Sequence, residues 1–201
     1  MNIHHKKLAH FIFAFGFSFS PLHALSHIEA TDGELSDDYL DPTIINITLG
    51  DNILEGGLDG GTTDLDLFRL SVPRGLEISA IILEAASGGG GGGSFLGLQP
   101  GSTLSSAPSN NFADFIGYGL IPASSVGTDY LPVITLPAIN TLPPFYGAES
   151  LEAGDYAGWL NETGDSSTYR LNFVATQVPE PSSISLLTVS CLYLVCRKRR
   201  A

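Results

Sequence analysis

Over the 154 residues from Leu25 to Val178 the chain has no lysine and no cysteine, and one histidine, His27. Cys-His and Ser-Lys catalysis therefore lack a nucleophile or a base in that stretch, and Ser-His-Asp catalysis has no imidazole there beyond His27. Zinc and copper sites built on imidazole or thiolate lack their ligands, and no disulfide can staple the segment. Positive charge is almost missing as well. Arg69, Arg74 and Arg170 stand against twenty carboxylates, a net charge of about −17. Such a surface repels nucleic acid and anionic lipid and suits a hard cation such as calcium. A nucleic-acid partner is excluded. The enzymatic chemistry left is a carboxylate pair of the glycosidase kind, and no spacing singles out one pair among twenty carboxylates.

The other six basic residues lie at the two ends. Lys6 and Lys7 precede an apolar run from Leu8 to Phe19, too short to span a bilayer and typical of a signal-peptide core. Ser20-Pro21 breaks that run, and Ala24 or Ser26 offers a small residue for cleavage. Residues 1–24 are thus expected to be an export signal for the export machinery and signal peptidase. At the other end, residues 178–201 begin Val178-Pro179-Glu180-Pro181. They continue as an apolar segment, 182–196, and close on a basic stop, Arg197, Lys198, Arg199 and Arg200. The apolar segment reaches only about 22 Å as a helix, against a hydrocarbon core of about 30 Å. Insertion would need bilayer thinning or snorkelling of Arg197 and its neighbours.

This tripartite tail resembles the PEP-CTERM signal of exported bacterial envelope proteins. The resemblance implies processing near Pro179, Glu180 and Pro181 by exosortase, a membrane transpeptidase. It implies a route as well: export, transient membrane anchoring, then the cell surface or the extracellular matrix. It supplies an address and leaves the activity of the delivered domain open.

Between the ends, Gly and Pro punctuate the chain and helical periodicity is nearly absent. Short β-branched or aromatic runs are expected as strands: Thr43 to Leu49, Leu65 to Val72, Leu76 to Ala85, Asp155 to Leu160 and Ser167 to Ala175. Val72-Pro73-Arg74-Gly75 reads as a turn between two of them. The fold class expected is all-β, a single antiparallel, jelly-roll-like β-sandwich over 42–176. Residues 25–41 are expected to be an acidic linker, and the signal and the tail to add a helix at each end. Six glycines, Gly88 to Gly93, read as a loop between strands. The stretch 131–146, rich in proline, suits cover for a sheet edge.

The run Asp64-Leu65-Asp66-Leu67-Phe68-Arg69-Leu70-Ser71-Val72-Pro73-Arg74-Gly75 is followed much later by Leu151-Glu152-Ala153-Gly154-Asp155-Tyr156 and by Tyr169-Arg170-Leu171-Asn172-Phe173. These segments are similar to motifs of bacterial pre-peptidase C-terminal domains. The likeness implies a sandwich used as an accessory or binding module, with no catalytic centre of its own.

Two acidic clusters are candidates for calcium: Asp32, Glu34, Asp37, Asp38 and Asp41, then Asp51, Glu55, Asp59, Asp64 and Asp66. Neither has EF-hand spacing. The best placed trio is Asp59, Asp64 and Asp66, beside the first strong strand. Trp159, the only tryptophan, and Tyr156 have opposite parity, so an extended strand would turn one outward as a sugar-stacking ring. The function expected is that of a non-enzymatic exported envelope or matrix protein, with extracellular polysaccharide as a partner. The alternatives are a carbohydrate- or calcium-binding adhesion module and, behind it, a carboxylate-dependent glycosidase.

Overall fold

Alternating inward residues build two sheets with a common core. A computed structural model describes residues 25–60, 64–88, 94–108, 113–136, 147–162 and 164–178. The elements are β1 (Leu25–Ile28), α1 (Glu29–Asp32), β2 (Thr43–Asn46), β3 (Asn52–Leu58), β4 (Leu65–Val72), β5 (Leu76–Gly88), β6 (Ser94–Pro100) and β7 (Gly117–Ile121). A 3-10 turn (Ala123–Ser125), α2 (Leu131–Ile134), β8 (Gly154–Asn161) and β9 (Ser167–Gln177) complete the order. One sheet runs β1-β3-β9-β5 and the other β2-β4-β8-β6-β7.

The sandwich matches the expected class, but the sheets are mixed. β1 pairs with β3 in parallel and β2 with β4 in parallel, while the remaining strand pairs are antiparallel. The reason is topological. From β1 to β5 the chain alternates between the two sheets, so a strand meets its neighbour only after two reversals of direction.

Between the sheets lie Ile45, Leu54, Leu58, Phe68, Leu70, Ile81, Leu83, Leu96, Leu160, Tyr169, Leu171 and Phe173, all at most 1% exposed. At about 1.5–3 kcal/mol for each fully buried large side chain, this layer supplies most of the drive to fold. The turn after Val72 forms, closed by Leu76 N–H donating to Pro73 O at 3.2 Å, with Gly75 at φ +84°. The positive φ explains the glycine.

A second apolar layer covers the outer face of the five-stranded sheet. Leu104 and Phe115, from the segment joining β6 to β7, pack there on Leu67, Ala157 and Trp159, with Tyr39 and Phe95 at the margin. Residues 25–41, expected to be a linker, carry β1 and α1 and place Leu35 in the main core at 3% exposure. On the open side, α2 packs on β5 and β7, the edge strands of the two sheets, and buries Leu131 and Ile134.

Among the described residues no helix is long and apolar enough to cross a membrane. The expected signal helix (1–24) and all of the expected tail (178–201) after Val178, with Pro179, Glu180, Pro181 and Arg197 to Arg200, lie outside the described residues.

Candidate functional site

At one end of the sandwich the interior turns polar. Asp66 is the second residue of β4 and shares its inward face with Phe68 and Leu70, so the strand repeat drives its carboxylate between the sheets, where it is 0% exposed. From the opposite sheet the Tyr169 hydroxyl donates to Asp66 Oδ2 at 2.6 Å. The third participant comes from the start of the domain. β1 ends at Ile28, and the chain turns into α1 so that Glu29 Oε2 accepts the Gly57 N–H at 2.8 Å, on the part of β3 that β1 leaves unpaired. Gly56 makes this possible. A Cβ at that position would collide with the Glu29 carboxylate and the Tyr169 hydroxyl.

Glu34 closes the group from the surface. Carboxylate oxygens of Glu29, Glu34 and Asp66 all lie within 4.8 Å of one another, graded from exposed Glu34 through half-buried Glu29 to buried Asp66. Two oxygens of the group, Glu29 Oε1 and Asp66 Oδ1, are buried without a hydrogen-bond partner. Burial pushes the Asp66 carboxyl up to about 8. The Tyr169 hydrogen bond opposes the rise, and the charges of Glu29, Asp64 and Glu34 add to it. Glu34 is raised as well, by burial first and then by Glu29. Burial, followed by Asp66, raises the Tyr169 hydroxyl and keeps it a donor. Three carboxylates, one of them buried with an unpartnered oxygen, fit calcium, which takes six to eight oxygens.

The expected trio is corrected in part. Asp66 belongs to the cluster, but Asp59 and Asp64 do not join it. Asp64 precedes the first residue of β4, and its Oδ2 accepts the Asp59 backbone N–H, so it closes the loop instead. Several other acidic residues serve the backbone in the same way. Asp32 Oδ2 accepts Ile28 N–H at 2.8 Å, Asp37 Oδ1 accepts Leu65 N–H at 3.3 Å, and Asp38 Oδ1 accepts Leu40 N–H at 2.9 Å. Glu55 and Glu84 pair with Arg170, and Asp51 accepts from Asn172. Glu29 and Tyr169 were missed as site residues. The Gly56-Gly57 pair was the one sequence signal of a close backbone approach there.

The two stacking candidates are both buried, which corrects that expectation. Tyr156 is 5% exposed in the main core, and its hydroxyl donates to Glu152 O at 2.8 Å. Trp159 does face the outer side of its sheet, as parity requires, but it is 6% exposed. Phe95 and Phe115 pack on it at ring-centroid distances of 4.8 and 6.2 Å. A glycosidase pair gains no support either. Glu162, just past the end of β8, is buried, but its two oxygens accept from Ser94 Oγ and Gly164 N–H.

No protein-family model matches the chain, and no curated protein matches it. Among the solved structures similar to it are two of low identity. The pre-peptidase C-terminal domain of collagenase from Bacillus anthracis is 16% identical over 66% of this chain and 94% of that one, with a TM-score of 0.33. PliG of Salmonella Typhimurium, a periplasmic lysozyme inhibitor of g-type lysozyme, is 14% identical over 67% of this chain and 99% of its own, with a TM-score of 0.31.

Proposed function

We propose that the chain is an exported, non-enzymatic envelope protein whose β-sandwich takes up calcium at Glu29, Glu34 and Asp66. The observation that carries the calcium reading is the buried Asp66 Oδ1, which has no hydrogen-bond partner and belongs to a group of three carboxylates. A buried carboxylate is costly unless something offsets its charge, and a divalent ion does so for all three groups together. Glu29 and Glu34 come from the segment that enters the domain, so the ion would also tie that segment to the sheets. The export and sorting half of the proposal is supported by the two ends of the sequence. Sugar recognition by ring stacking is disfavoured by the burial of Trp159.

The test is thermal unfolding of the purified protein in chelator and in millimolar calcium. Binding to the folded state alone, at about a hundred times the dissociation constant, stabilises by about 2.7 kcal/mol, so Tm should rise by several degrees. Asp66→Asn should remove most of that rise. An unchanged wild-type Tm would reject the calcium reading.

A further inference from the structure

No residue from 26 to 34 is buried, and the first core side chain of the described residues is Leu35, 3% exposed. Most side-chain bonds of this entering segment are internal. Asp32 Oδ2 accepts Ile28 N–H, the Thr31 hydroxyl donates to Ile28 O at 3.1 Å, and Gly33 N–H donates to Glu29 O at 3.1 Å. These bonds shape the segment and do not dock it. Among the described residues two things attach it to the sheets by hydrogen bonds. β1 lies at the edge of the four-stranded sheet and pairs with β3 alone, from Leu25 beside Asn52 to Ile28 beside Glu55. Beyond β1, Glu29 Oε2 accepts the Gly57 N–H.

Charge opposes this docking. Glu29 and Glu34 of the segment meet Asp66 of β4, with oxygens of all three within 4.8 Å of one another. The charges of Asp64 and Asp37 bear on Glu34 as well. Among the described residues no ion pair reaches these carboxylates, since Arg170 is held by Glu55 and Glu84. With no side chain buried from 26 to 34, hydrophobic burial offers little to offset the repulsion. From Leu35 onward the chain is anchored differently. Leu35 sits in the main core, Ser36 O accepts Leu67 N–H at 2.9 Å, and Ser36 N–H donates to Thr43 Oγ1 at 2.9 Å. The boundary between weak and firm attachment falls between Glu34 and Leu35.

We propose that residues 25–34 are a strap, held on the sandwich by an ion at Glu29, Glu34 and Asp66 and released from the edge of β3 when the ion leaves. This deepens the calcium reading above and rests on it. A divalent cation turns the repulsion between strap and sheet into the attraction that closes them. Release frees the backbone groups of β3 that β1 covers, together with the Gly57 N–H. It also removes one wall of a cavity of about 410 Å3, to which the strap contributes Ile28, Glu29 and Ala30. The rest of the lining includes Gly57, Thr168 and Arg170, and the last two face outward from the four-stranded sheet. Asp66 lies between the sheets, so the ion governs this cavity through the strap and not by touching an occupant.

The experiment is amide hydrogen exchange read by mass spectrometry on the purified full chain. It is run at one pH in calcium and in chelator, with Tm measured in both. In chelator, peptides covering 26–34 and 52–57 should exchange at least about tenfold faster, while peptides from β6 and β8 keep their protection. Glu34→Gln, at an exposed position, should raise the calcium concentration that restores protection to 26–34 by about tenfold or more. A rise in Tm with no local change in exchange overturns the strap and leaves the calcium reading standing. Exchange that quickens equally in all strands overturns the strap too, because the segment then opens only with the whole domain. An unchanged calcium dependence in Glu34→Gln overturns the hold through that carboxylate. No rise in Tm in the wild type overturns the calcium reading and the strap with it.

Discussion

Asp66 is where the sequence pattern and the physics of burial conflict. An inward strand position calls for an apolar side chain, yet here a carboxyl is pushed up to about 8, chiefly by burial. Its value in the unfolded chain is near 3.8. A folded pKa above the unfolded one means a stabilising contribution that is full below about pH 4 and is lost as pH rises through about 8. Glu34 shifts in the same direction. In chelator, therefore, Tm should fall between about pH 4 and pH 8. Asp66→Asn should flatten the curve, and calcium should raise its alkaline end most. A Tm that climbs with pH in chelator would contradict this account, and circular dichroism melts at several pH values decide it. Gly56 gives a second residue-scale prediction. Alanine there drives a methyl group into Glu29 and Tyr169, which should cost about 1–3 kcal/mol and blunt the calcium response. Urea midpoints with and without calcium measure both effects.

Elements were legible where periodicity was strong. β4 runs over the expected residues, and β8 and β9 exceed their expected bounds by only one or two residues at an end. Tyr169, Leu171 and Phe173 alternate inward as their spacing requires. β3, β6 and β7 were not legible. β3 contains Glu55-Gly56-Gly57, poor strand formers, and becomes a strand because β9 pairs with it from Ile53 to Leu58. Nor does a Ser-, Pro- and Asn-rich segment announce that Leu104 will be 3% exposed over Trp159. Leu104→Ala should therefore behave as a core truncation, costing about 2–5 kcal/mol, where an ordinary loop position would cost less than about 0.5 kcal/mol. Denaturant unfolding followed by far-UV circular dichroism separates the two ranges. Trp159 fluorescence in the folded wild type should be blue-shifted and shielded from acrylamide. Emission like that of free tryptophan would place the ring at the surface and reopen the stacking reading.

For the whole molecule, the charge asymmetry ties the fold to the export proposal. Six of nine basic residues sit in the two ends, and the sandwich between them is strongly acidic. If the ends are targeting devices, intact mass should find a mature protein that begins after Ala24 or Ser26 and lacks Arg197 to Arg200. Cell fractionation should place it outside the cytoplasmic membrane. Replacing Pro179, Glu180 and Pro181 by alanine should leave a membrane-bound form that keeps Cys196 and the basic stop. A wild-type product retaining that stop would make the tail a plain anchor and end the exosortase reading.

The sequence by itself determined the all-β class, the strongest strands and the negative charge, because each follows from local periodicity or from composition. It also determined that the central segment holds no cysteine and one histidine, His27. Asp66 was one of three candidate ligands, with Asp59 and Asp64, by its place beside the first strong strand. The tertiary structure decided its partners, since Glu29 and Glu34 lie more than thirty residues earlier and Tyr169 lies 103 residues later. It also decided that β1 and β2 run parallel to their neighbours and that Trp159 is covered. These outcomes depend on which strands pair across the sandwich and which segments return to its faces, and no local pattern of residues carries that information.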